Sequence, residues 1–303
     1  MLLFLFVTVI PEQISQEIVD ELRWHKLSMR RFELAIAEAF ELFRAYDIEP
    51  ILIKGWAAAR NYPEGRPRFF GDVDLAFSAS QFDKAVERLS RTPVPSISID
   101  PHREFRHLDT LAWDIAVTRS KVIKVDSGSI RVLCPEDHLR VLCVHWLNDG
   151  GAYKERLWDI YYAVANRPPD FDWELCLESV SETRRRWIVI AIAVARKYLS
   201  LDVADLPFEV NTASIPEWMI RCLEKEWSTD ARLIPLEACL HDPKLMMQQI
   251  LKRTPPNPIE ATIEGEGELN NTSRLRYQIG SIRKRIGPSF RGLRTALIRK
   301  IKN

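Results

Sequence analysis

Three short stretches of this chain carry side chains of types and spacings that could do chemistry. The first is Gly71-Asp72-Val73-Asp74-Leu75. Two carboxylates two residues apart point to one face if the stretch is a strand, because side chains alternate with period two. Like charges held side by side need a cation between them. Hard oxygen ligands at this spacing suit Mg2+ or Mn2+, which are bound through a few carboxylates plus substrate phosphates. The second stretch is Ala112-Trp113-Asp114-Ile115-Ala116-Val117, where a lone acid sits among apolar residues. Read as a strand, it makes Asp114 the expected third ligand, so that Asp72, Asp74 and Asp114 are the catalytic and metal-holding set. Three such acids can hold two ions about 3.5–4 Å apart. The third stretch is Lys54-Gly55 at the end of an apolar run. A glycine there lets the backbone approach a phosphate, with the following helix start offering N–H donors. Arg66 and Arg68 precede the paired acids, and a guanidinium clamps phosphate with forked donors. Arg68, the nearer, is the expected clamp.

These residues need elements to position them. Residues 12–46 have apolar side chains three and four apart, a helical pattern. Ile48–Ile53 reads as a buried strand, 63–71 as a loop, Asp72–Phe77 as a strand and Ser80–Leu89 as a helix. Strand-like runs follow at Val94–Ile99, Glu104–Leu108 and Leu111–Val117. Lys121–Val125 and Ser129–Leu133 flank Asp126-Ser127-Gly128 as a hairpin. After Cys134-Pro135-Glu136-Asp137, which has the proline and acids of a helix start, helices are expected over 136–148, 152–165 and 172–199. The expected fold class is α+β: a mixed sheet with helices on one side, followed by a helical domain. The expected division is a catalytic domain with an N-terminal helix over 1–134, a helical domain over 135–252, and a polar linker with a basic tail over 253–303.

Charge and cysteines narrow the partners. The net charge is +1, but ten of the 43 Lys/Arg and none of the 42 Asp/Glu lie between Arg274 and Lys302. The tail can dock on the acidic body or on an anionic surface. In it, Leu293, Leu297 and Ile301 form one apolar stripe. Five scattered cysteines without a CxxC pair suggest neither a disulfide framework nor a zinc site. The apolar start MLLFLFVTVI is too short to span a bilayer, and no other run approaches eighteen apolar residues. A soluble, cytoplasmic protein is expected.

Taken in order, Leu52-Ile53-Lys54-Gly55, Tyr62-Pro63 and Arg68-Phe69-Phe70-Gly71-Asp72-Val73-Asp74-Leu75 resemble the uncharacterised bacterial nucleotidyltransferase family of the DNA polymerase β superfamily. Trp113-Asp114-Ile115, Leu133-Cys134-Pro135-Glu136-Asp137-His138-Leu139, Val144-His145, Arg156-Leu157-Trp158-Asp159-Ile160 and Phe171-Asp172-Trp173 extend the resemblance over about residues 10–200. It implies a nucleotidyltransferase fold, magnesium and a nucleoside triphosphate donor, and leaves the acceptor open. Lys54, Gly55, Arg68 and Gly71 are then the residues expected to meet the nucleotide. The chain departs from the pattern at three points. Trp56, not serine, follows Gly55; the gap from Gly55 to Asp72 is longer than in many relatives; and Ala116 stands where the family often has a histidine two residues past its third aspartate. Three functions therefore stay open: an enzyme transferring a nucleotidyl group, a non-catalytic nucleotide- or partner-binding module of the same fold, and an RNA-modifying toxin of a toxin–antitoxin pair. His138 and His145, seven apart on one helix, are expected to pack rather than to bind metal, and Trp146, Trp158, Trp173 and Trp187 to seal the interface between the helical and catalytic parts.

Overall fold

The computed structural model describes residues 16–285, apart from 65, 67, 92–96, 126–127, 229–233, 235 and 240–241. The chain is α+β, with a mixed five-stranded sheet and many helices. It divides into two compact units, residues 1–101 with 122–131, and residues 102–121 with 132–303.

In the first unit, α1 (Gln16–Arg44) runs into β1 (Ile51–Leu52), α2 (Trp56–Ala59), β2 (Asp72–Phe77), α3 (Phe82–Arg91) and β3 (Ser98–Arg103). The helical pattern of α1 has a direct consequence. Ile36, Ala39, Phe40 and Phe43 form one stripe three and four apart, and all four are fully buried. Phe43 meets Phe77 of β2 edge-on, with ring centroids 4.8 Å apart. β1 is short but central: the sheet order is β3-β2-β1-β5-β4, and Ile51, Leu52 and Ile53 are wholly buried, as the apolar run requires. The two last strands, β4 (Lys121–Val125) and β5 (Gly128–Val132), lie side by side. A two-residue connection permits only an antiparallel pair, the hairpin expected from sequence. Arg44 at the end of α1 reaches β5 through Ser129 O at 2.7 Å and pairs with Glu49 at 2.7 and 2.8 Å. Burial pushes the Glu49 carboxyl up, but hydrogen bonds from Arg44 and Arg131 outweigh it and hold the group below its usual range.

The second unit begins with α4 (Trp113–Arg119), a segment whose alternating residues suggested a strand. Seven residues fit either period, and a run this short is decided by its surroundings. Asp109, in the loop before it, accepts from the backbone N–H of Thr110 and Leu111 at 2.7 and 3.0 Å. The helices α5 (Pro135–Asn148), α6 (Leu157–Ala165), α7 (Trp173–Glu178) and α8 (Glu182–Leu199) follow. The single long helix expected over 172–199 is two. Asp172 caps α7 by accepting from Leu175 N, and Ser181 caps α8 by accepting from Arg184 N. Trp146 and Trp187 are buried, and their indole N–H groups donate to Tyr153 O and Gly267 O.

Beyond them come α9 (Glu217–Trp227), α10 (Pro243–Arg253) and α11 (Pro258–Glu264). The stretch read as a linker thus contains α11, with Ile259, Ala261 and Ile263 buried. Polar composition concealed three apolar residues at alternate positions and the Asn257 cap before Pro258. Residues 275–285 are helical, with Lys284 donating to Glu264 O at 2.9 Å and Arg285 pairing with Glu260 and Glu264. The stripe of Leu293, Leu297 and Ile301 lies outside the described residues. All five cysteines are free, and burial pushes the Cys134 and Cys222 thiols up to about 12. Among the described residues, no helix is long and apolar enough to cross a membrane.

Candidate metal centre

The site is assembled by strand register. β1 and β2 pair antiparallel, Ile51 opposite Ala76 and Leu52 opposite Leu75, and the backbone N–H of Ile53 donates to Asp74 O at 3.1 Å. Continuing this register sets Ile53 opposite Asp74, Lys54 opposite Val73 and Gly55 opposite Asp72. Past the end of β1 the Lys54 side chain reaches Asp74, and Gly55 lies against Asp72. Lys54 Nζ lies 2.9 Å from Asp74 Oδ1, with side chains only 11% and 7% exposed. A β-carbon built on Gly55 would stand 3.3 Å from the Asp72 carbonyl oxygen.

Gly55 itself is turned to φ 62°, ψ −110°, a region that residues with a β-carbon avoid. We expect Gly55→Ala to cost on the order of 1–3 kcal/mol. Gly71→Ala should be close to neutral, because a β-carbon there meets nothing within 4 Å. Urea melts of the two variants check this contrast, and equal midpoints would contradict it.

On the far side of β2, the edge strand β3 carries Asp100 and His102 on one face, separated by Pro101. The boundary between the two units falls after Pro101, inside this continuous strand. One ligand atom from each of Asp74, Asp100 and His102 lies within 4.8 Å of the others. Donors opposite each other on one ion at 2.0–2.3 Å would be about 4–4.6 Å apart. Two carboxylates and an imidazole can therefore hold a divalent ion at this point.

The residues expected from sequence are distributed as follows. Asp74 is buried within the cluster, whereas Asp72 opens β2 as an exposed residue, on the same face by alternation. Asp114 is exposed in the first turn of α4 and is no member of the cluster. Lys54 is drawn to Asp74, and Gly55 makes the turn that follows. Arg68 donates to Phe69 O at 3.3 Å. Arg66 and Gly71 are exposed in the same loop.

Asp100 and His102 escaped the reading of the sequence. A signal was present: aspartate and histidine two residues apart, the pairing looked for at Asp114 and Ala116. His138 is buried on α5, and His145 lies 3.2 Å from Arg156 Nη1. Among the described residues neither belongs to a group that could hold metal.

No curated protein and no solved structure matches the chain. Residues 6–92 do match the model of a family described as uncharacterised nucleotidyltransferase, so the segment carrying Lys54, Gly55, Asp72 and Asp74 is similar to that family.

Proposed function

We propose that this protein moves a nucleotidyl group from a nucleoside triphosphate to an acceptor, using a divalent ion held by Asp74, Asp100 and His102, with Asp72 completing the set at the exposed end of β2. The carrying observation is the convergence of those three ligand atoms within 4.8 Å, next to the paired acids of the matched segment. When bound, Mg2+ or Mn2+ neutralises charge on the triphosphate and activates the attacking group. The imidazole donor suits Mn2+ better than Mg2+, which prefers oxygen ligands throughout. The chain's own part is positioning. Gly55 keeps the turn after β1 free of a side chain, so that phosphate can approach the backbone, and Arg68 supplies a fixed positive charge to it. Asp72 and Asp74 aim ligands from one strand face, and Asp100 takes the role that the sequence suggested for Asp114.

The test is pyrophosphate release from labelled triphosphates with Mn2+. Asp100→Asn should cut the rate at least about a hundredfold, while Asp114→Asn leaves it within about twofold. The reverse ranking would return the role to Asp114 and remove Asp100 from it.

A second reading is favoured by one contact. Lys54 stands against Asp74 where an ion would sit, as it would in a module that binds a nucleotide or partner without turnover. Triphosphate binding by calorimetry, with no pyrophosphate released, would support that module.

A further inference from the structure

The ion pair between Lys54 and Asp74 raises a question that the metal reading alone leaves unanswered. A buried carboxylate needs a positive partner, and Asp74 has one in Lys54, at 2.9 Å. A metal ion bonded to Asp74 would bring a double positive charge to the same oxygen atoms. The ammonium cannot keep its place there without strong repulsion. Lys54 is also placed to leave. It is the last residue before the Gly55 turn, it follows β1, and its ammonium ends a flexible four-carbon stem. Next to that turn is where the proposed function puts the triphosphate.

We propose that Lys54 is an exchangeable counter-ion: it holds Asp74 in the metal-free protein and moves to the phosphates of the incoming nucleotide when a divalent ion takes the carboxylate. Lys54 is then a positioning residue with two stations. It lowers the affinity for metal alone and raises the affinity for metal and triphosphate together, so the site fills with both or with neither. This rests on the metal reading of Asp74 given above.

The experiment measures Mn2+ binding by electron paramagnetic resonance in the full chain, without nucleotide and with a non-hydrolysable triphosphate. Lys54→Met removes the charge and keeps the length of the stem. It should bind Mn2+ alone at least tenfold more tightly than wild type, and bind the triphosphate in the presence of Mn2+ at least tenfold more weakly. Lys54→Arg should stay within about threefold of wild type for Mn2+ alone. A merely structural lysine would lower stability without tightening Mn2+, so unchanged or weaker Mn2+ binding by Lys54→Met overturns the inference. Should that variant be too unstable to titrate, the rise in melting temperature on adding Mn2+ is read instead. A rise larger than in wild type supports the exchange, and an equal or smaller rise overturns it. If wild type binds no Mn2+ and Asp74→Asn behaves identically, the metal reading itself has failed, a result distinct from the others.

Discussion

Asp74→Asn is expected to lower the rate of pyrophosphate release by at least about a thousandfold, since an ion's stabilisation of the transition state amounts to several kcal/mol and each 1.36 kcal/mol is tenfold. Asp74 is the centre of two arrangements. It contributes a ligand atom to the cluster with Asp100 and His102, and it pairs with Lys54 at 2.9 Å. The substitution therefore has a second consequence. It leaves the Lys54 ammonium, only 11% exposed, facing a neutral amide, and breaking a buried pair from one side costs roughly 3–5 kcal/mol. The double variant Asp74→Asn with Lys54→Met should recover most of that stability and none of the activity. Melting curves and the pyrophosphate assay on the four members of the cycle separate the two effects. Activity retained in Asp74→Asn would remove the cluster from the reaction.

A comparable loss of stability is expected in the helical unit, at Arg140. Its side chain is 1% exposed; Nε donates to Asp109 Oδ2 at 2.8 Å and Nη2 to Asp137 Oδ1 at 2.7 Å. Nη1 donates to Leu175 O at 3.3 Å, which joins the loop before α4 to α5 and α7. Burial opposes the guanidinium charge, but Asp109 and Asp137 more than restore it and hold its pKa above the usual value. Arg140→Met removes the shared cation from two buried carboxylates and should cost roughly 3–5 kcal/mol, a fall of about 6–20 °C in melting temperature for a unit of this size. Adding Asp109→Asn and Asp137→Asn should recover part of the loss. Thermal unfolding followed by circular dichroism checks both, and a fall under about 3 °C would show that Arg119, 3.5 Å from Asp137, suffices as its partner.

How far this site could be read from residues alone depended on the length of each pattern. α1 buries a long stripe and was legible, whereas α8 was read as one helix with α7. The strand that carries Asp72 and Asp74 was legible because six residues repeat its alternation three times. Asp100 and His102 were not, because Pro101 interrupts the run. The sequence shows a strand ending near Ile99 and another starting at Glu104, while the chain builds one strand across the gap. Proline is tolerated in that place because β3 is an end strand of the sheet, where fewer of its ladder bonds are at stake. Trp113–Arg119 shows the converse, since β-branched and aromatic residues suggested a strand to which no neighbour pairs, and a short helix formed.

Gly55 is held against Asp72 by the alignment of β1 with β2, and the sixteen residues between them take no part in that alignment. Lengthening a flexible connection is cheap, roughly 0.6 kcal/mol for a doubling. The extended span between glycine and acids is thus no obstacle to their alignment. It leaves room to insert or delete segments around residues 63–67, and so to refashion the surface beside the paired acids, while Gly55 and Asp72 stay in place.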